Sequence, residues 1–510
     1  MEYNLDSKLI PSEQTCLDTV AEQLVDIDFT LPDYCPDIEK ILKCTLTPKI
    51  FSRNLSGGQL QIDGVAVVKI LYCNSGKKHI RCCEQTVPFS QSFSVKSALE
   101  QFIVLTNTKS EYINCRALSP RRLVIHGAFS LYAKVQEKNG VSLCSINEEV
   151  PLETSDETIK CARMCAFCQD QFTISEEISV TNKPKIEVLL RDSVKAEITQ
   201  VKSIPDKLII KGEINLKLLY LSDLESGMLD QIDYLLPFNQ ILDSSGVDED
   251  VINDLTLNVL SYDIRLKSDH LSENPILDLD VKILITEIGY KISEETIIKD
   301  AYSTEYETEI LHEKVPIISD IIHLDETIMH KNAIKIENIE ISKVIDIYNE
   351  YCTVTASIGD QLVSINGKAN VCVIALDQEN TPVYIERSID FEHNMPLESE
   401  VNFISSAQAE VRSISYRLTD DNSIELRLEI RASSSAFMKD TYDCVVDVKG
   451  IEDKPLQKKT CALTLYYGNK GEKVWDIAKK YNTKLKLLNE ENLIDSPILE
   501  AAQMLLIPTV

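Results

Sequence analysis

The run Cys161-x-x-x-Cys165-x-x-Cys168 has the spacing at which three thiolates can hold an iron–sulfur cluster, since steps of four and three put side chains on one face of a helix. An enzyme built on that motif needs the strand–helix alternation of an α/β barrel around it, and the flanking sequence has none. No fourth ligand lies within reach for zinc. The three cysteines therefore read as a short linker helix packing small apolar side chains, with a metal site and thiol redox chemistry as the alternatives. The histidines, at 79, 126, 270, 312, 323, 330 and 393, are scattered singly, and none sits in a His-Glu-x-x-His pair. His126 alternates with Val124 and reads as a half-exposed strand position. The acidic stretch from Asp243 to Asp254 lacks the carboxylate spacing and central glycine of a calcium loop and reads as a solvated loop. Neither a nucleophile elbow nor a phosphate-binding Gly-x-x-x-x-Gly-Lys occurs. The chain is expected to be no enzyme and to need no cofactor or metal.

The other chemistry on offer is recognition. Trp475, the only tryptophan, lies between Val474 and the apolar positions Ile477, Ala478 and Tyr481. At 100° per residue those four form one stripe, and Trp475 falls at its rim, half exposed. A tryptophan there either caps the core of its own module or anchors a protein contact. The candidate binding edge is Trp475 with Lys470, Gly471, Glu472 and Lys473 from the preceding loop, and Gln503 and Met504 from the loop before the last apolar run.

The surrounding pattern places that edge. Leu463 to Tyr467 reads as a strand, the stripe as a helix, Leu485 to Leu488 as a second helix, and Met504 to Pro508 as a closing strand, giving βααβ. The run Gly471 to Asn482, with Leu488-Asn489, Asn492 and Leu505-Leu506-Ile507-Pro508, resembles a LysM domain. That resemblance implies N-acetylglucosamine polymers in the groove between the two loops. The usual Gly-Asp-Thr is here Gly471-Glu472-Lys473, and the usual Gly-Gln is Ala502-Gln503. A lysine at the threonine position suits a carboxylate-bearing protein better than a neutral sugar. Peptidoglycan binding is the alternative.

With 510 residues the chain has room for three or four domains, and its 44% hydrophobic content is that of a globular protein. The formal net charge of −29 argues against nucleic acid and against an anionic lipid surface. From Leu463 onward six lysines balance six acids, so the negative charge belongs to the preceding residues. No apolar run reaches membrane-spanning length and Met1 to Asp6 is unlike a signal peptide, so a cytoplasmic protein with reduced cysteines is expected.

Those preceding residues repeat. Pro36 to Leu42 returns as Pro184 to Leu190, Leu60 to Gly64 as Leu208 to Gly212, and Lys69 to Tyr72 as Lys217 to Tyr220, all 148 residues on. A third copy follows about 155 residues later, with Leu362 to Gly367 and Cys372 to Ala375. Each carries a downstream phenylalanine, at 89, 238 and 391. Alternation of apolar and polar residues with β-branched enrichment reads as antiparallel strands. The glycines at 64, 212 and 367 are expected at a bulge or close backbone approach. The fold class is thus mainly β: three tandem sandwich- or barrel-like units over 1–158, 159–315 and 316–450, a linker over 451–462, and the βααβ module over 463–510. Polar connections are expected at Glu153 to Glu157 and at Lys449 to Lys459. The units are expected to form an extended acidic array, with the last connection letting the module swing.

The first copy, Leu31 to Leu42 with Gly64, Lys69 to Tyr72 and Val87-Pro88-Phe89, resembles the SPOCS domain of spore-forming bacteria; the second and third copies resemble it less. SPOCS units followed by one LysM domain are similar to a family of clostridial spore-coat morphogenetic proteins. The resemblance implies a non-enzymatic scaffold in the mother-cell cytosol, at the forespore surface, whose LysM domain binds the coat-basement ATPase SpoIVA.

Overall fold

The computed structural model describes residues 6–76, 79–95, 99–145, 151–181, 183–267, 276–337, 339–397, 400–456 and 463–508. The protein is almost wholly antiparallel strand, and one connection scheme occurs three times before the C-terminal module. In the first set, β2 (Ile38–Ser56), β3 (Gln59–Asn74) and β4 (Ile80–Ser94) form one sheet. The long β1 (Asp6–Thr30) and β6 (Arg122–Ser145) form a second with β5 (Phe102–Ser119). In the second set, β8 (Val188–Ile204), β9 (Lys207–Asp223) and β10 (Met228–Asp243) face β7 (Leu152–Ser179), β12 (Ile276–Ser303) and β11 (Ile252–Lys267). In the third, β14 (Ile341–Gly359), β15 (Leu362–Asp377) and β16 (Pro382–Pro396) face β13 (Tyr306–Lys335), β18 (Ser423–Pro455) and β17 (Phe403–Leu418). Each pair of sheets closes over its own apolar core, so each set is a small sandwich.

The three glycines mark close approaches. Gly64 pairs across the ladder with Phe89, Gly212 with Phe238 and Gly367 with Phe391. In every case the phenylalanine ring lies where a Cβ would be, under 3.0 Å from it. On the other neighbouring strand the register slips between Ile50 and Ser52 opposite Gly64, and between Ile198 and Gln200 opposite Gly212. These bulges press the carbonyl oxygens of Lys49 and Glu197 against the glycines. Opposite Gly367 the ladder is regular.

The units do not string out into an array; each touches both others. Leu71 of β3, Leu219 of β9 and Ile374 of β15 share one buried cluster, which Ile80, Leu190 and Leu221 complete. A second cluster joins the long hairpins through Ile10, Leu143, Ile159, Ile297, Val315 and Cys444. Ion pairs close the ring: Lys69 with Asp192, Arg191 with Asp346 at 2.8 Å, and Lys43 with Glu350 at 2.9 Å and Glu386 at 2.8 Å. The physical reason lies in the central strands, whose apolar residues are consecutive at Leu218-Leu219-Tyr220-Leu221, so both sheet faces are buried.

Two further expectations are corrected. Cys161, Cys165 and Cys168 stand in β7, not on a helix, because this segment pairs with β12 on both sides of a bulge at Cys165. Residues 153–157 and 449–455, read as connections, are likewise strand residues of β7 and β18, and positions 158/159, 315/316 and 450/451 fall inside strands. The long hairpins extend past the sandwich cores, where polar residues such as Glu153, Asp156 and Lys449 resemble loop sequence. The rest of the expected linker, 457–462, lies outside the described residues, as does His270. Among the described residues no helix is long and apolar enough to cross a membrane.

Candidate partner-binding site in the C-terminal module

The module runs β19 (Leu463–Gly468), α1 (Val474–Tyr481), α2 (Leu485–Asn492) and β20 (Gln503–Pro508). Gly471, at φ +89°, turns the chain between β19 and α1. Asn482, at φ +46° after α1, and Leu493, at φ +52° after α2, end the helices in the left-handed conformation. Val474, Ile477, Ala478, Leu488, Leu499, Leu505 and Ile507 form the core.

The two loops of the proposed edge lie side by side. The Gly471 N–H donates to the Leu499 carbonyl at 2.8 Å, the Leu499 N–H to the Glu472 carbonyl at 2.9 Å, and Gly468 pairs with Gln503. Lys470, Gly471, Lys473, Gln503 and Met504 are exposed. Glu472 is half-buried and committed within the module, where its carboxylate accepts from Tyr466 Oη at 3.1 Å and Asn469 Nδ2 at 3.0 Å.

Trp475 is half-buried at the helix rim and faces the body of the protein. Its Nε1–H donates to the Asp300 carboxylate at 2.9 Å, and its ring meets the Tyr302 ring edge-on at 5.0 Å between centroids. Lys479 Nζ reaches both oxygens of Asp300, at 2.6 and 2.7 Å. The Tyr302 hydroxyl, fully buried, donates to the Thr483 carbonyl at 2.7 Å, and the Leu485 N–H donates to Glu153 Oε2 at 3.2 Å. Glu153 thereby places a carboxylate at the start of α2, which has no side-chain cap of its own. The module is docked on the ends of β7 and β12, not held on a free tether. Sequence reasoning missed Asp300, Tyr302 and Glu153, which lie over 170 residues from their partners and carry no local motif.

Burial works to raise the Asp300 carboxyl, but the Lys479 ammonium and the Trp475 N–H outweigh it and hold the group below its ordinary range. A carboxylate depressed in the folded state lends its stability above its unfolded pKa and loses it as pH falls through the folded value. Its contribution to docking is therefore full above about pH 4 and disappears in stronger acid. At neutral pH, Asp300→Asn is expected to raise hydrogen exchange in α1 and the start of α2 several-fold, while the three sandwich cores exchange as before.

The cysteine triplet does not converge. Cys161 is buried among Ile10, Leu143 and Ile297. Cys165 sits at the register shift of β7, its thiol donating to the Gly289 carbonyl at 3.4 Å, and Cys168 contacts the Glu287 carboxyl at 3.4 Å. Burial pushes Cys161 up to about 11 and Cys168 up to about 12, so both are protonated thiols at neutral pH. The grouping of Glu350, Cys372 and Glu386 is spanned by the Lys43 ammonium, which supplies its positive charge. His126 stands exposed beside Asp26 at 2.7 Å. The acidic loop is an ordered turn in which Asp206 accepts from the Gly246 N–H at 2.8 Å and Lys291 pairs with Asp248.

With the geometry in place, two segments, residues 37–118 and 185–267, match the family model described as SipL, SPOCS domain. These two segments are similar to a SPOCS domain. The matches cover β2 to β5 and β8 to β11. In both, a fully buried tyrosine of the central strand reaches back to the carbonyl of the proline just before the matched segment: Tyr72 to Pro36 at 3.2 Å and Tyr220 to Pro184 at 3.3 Å. The third sandwich, which has Ala375 at that position, and the C-terminal module lie outside the matched SPOCS segments. No curated protein and no solved structure matches the chain.

Proposed function

We propose that this SipL-like chain is a non-enzymatic adaptor of spore coat assembly, working in the mother-cell cytosol at the forespore surface. Its C-terminal module is of LysM type and takes a protein partner, SpoIVA. The observation that carries this reading is the pairing of two SPOCS segments with a separate βααβ module whose loops expose Lys470, Gly471, Lys473, Gln503 and Met504. Lysine at position 473 favours carboxylates of a protein surface over a neutral glycan. The third sandwich is a divergent SPOCS unit that completes the closed body.

Immobilised full-length chain is expected to capture purified SpoIVA, and a chain ending at residue 462 is expected to lose that capture. Equal capture by both would place the partner site on the sandwiches. Co-sedimentation with purified peptidoglycan in place of SpoIVA capture would turn the reading to glycan binding.

A further inference from the structure

The hairpin β19–β20 treats its two edges and two faces differently. Tyr466, Leu505 and Ile507 point into the module, while Leu465, Tyr467, Met504 and Leu506 point out and are 60%, 66%, 63% and 37% exposed. Leu465 lies directly opposite Leu506, and Tyr467 opposite Met504, so the four side chains make one apolar patch. On the β20 edge, the Asn492 carboxamide accepts from the Leu506 N–H at 2.6 Å and donates to the Leu506 carbonyl at 2.8 Å. Leu506 and Leu465 are therefore a non-hydrogen-bonded pair, and the main-chain groups of Leu465 and Tyr467 point away from β20. Among the described residues nothing pairs with them. One edge is capped by a side chain and the other is left open beside exposed apolar residues, a combination that soluble proteins otherwise avoid.

From this geometry we infer that β19 is a strand-addition site. The occupant is an extended segment of a different protein with apolar side chains at alternate positions; it pairs its main chain with Leu465 and Tyr467 and extends the patch by one row. A second copy of this chain fits poorly. The four exposed side chains packed on their own copies are too few to reach the roughly 1,200 Å² at which stable interfaces begin. The bodies behind two such modules would also repel, since each chain carries −29. This inference rests on the reading that the module binds a protein, and it names the segment the module would take.

The test uses the full-length chain and purified SpoIVA. Leu465→Pro removes an N–H that the β19–β20 ladder does not use, so the hairpin should survive while strand addition is blocked. Tyr467→Glu places a charge on the patch without touching the ladder. Each is expected to weaken SpoIVA binding at least tenfold with an unchanged near-ultraviolet circular dichroism spectrum, and the Leu465 and Tyr467 amides are expected to gain exchange protection in the wild-type complex. Full-strength binding by both variants, with binding lost on removal of residues 463–510, would overturn the strand-addition site and leave the protein-binding module standing. No binding by the unaltered chain would overturn both. Protection of these amides in the chain alone, rising with concentration alongside a dimer in sedimentation equilibrium, would overturn the assignment to a different protein.

Discussion

Gly64→Ala and Gly212→Ala are each expected to destabilise the protein by about 3 kcal/mol, because the added methyl group meets both an aromatic ring and a fixed carbonyl. The ring of Phe89 or Phe238 can tilt, but the carbonyls of Lys49 and Glu197 are held by the bulged strands beside the glycines. Gly367→Ala is the internal control. Its three nearest obstacles are all atoms of the Phe391 ring, and no register shift faces it, so its cost should be about 1–2 kcal/mol. Denaturant titration followed by far-ultraviolet circular dichroism measures all three. Equal losses at the three positions would contradict the role given to the bulges.

The second large effect concerns the joint between the second and third sandwiches. Arg191 and Asp346 are 2.8 Å apart with only 15% and 8% of their side chains exposed, and the Arg191 guanidinium also lies 4.2 Å from the Tyr348 ring centroid. Asp346→Ala leaves a buried guanidinium without a counter-charge, which costs about 3–5 kcal/mol. A fall of roughly 3–5 °C in the apparent melting temperature is expected in a body of this size. The double variant Arg191→Met, Asp346→Leu should recover most of it, since an apolar pair of similar volume removes both charges. Lys207 and Asp243, 2.9 Å apart but half or more exposed, should give less than about 1 kcal/mol when Asp243 is truncated.

Much of this architecture is legible in the residues. The 148-residue offset puts Gly64 over Gly212 and Phe89 near Phe238, and the structure pairs each glycine with its phenylalanine. The order of strand, helix, helix, strand is readable because Gly471, Asn482 and Pro497 punctuate short periodic runs. The cysteine triplet misleads because spacings of four and three fit a helical face, while Ile159 and Cys161 on one face and Ala162 and Met164 on the other equally fit a strand buried on both sides. The closed packing of the sandwiches has a signal too, in the unbroken apolar runs of β9 and β15, which report burial on both faces. The docking of the module has none. Asp300, Tyr302 and Glu153 look like ordinary residues of an acidic β protein, and only the folded chain brings them to Trp475, Lys479 and Leu485.

That docking sharpens the test of the module's role, because Trp475→Glu does two things at once. It removes the half-exposed indole at the helix rim, and it sets a carboxylate against Asp300 and loosens the module from the body. Asp300→Ala loosens the module as well but leaves Trp475 in place. The decisive measurement is the affinity of purified SpoIVA for these two full-length variants beside the unaltered chain. Binding weakened at least several-fold by Trp475→Glu and retained by Asp300→Ala is the expected result; binding undiminished by Trp475→Glu would contradict a partner contact at this edge.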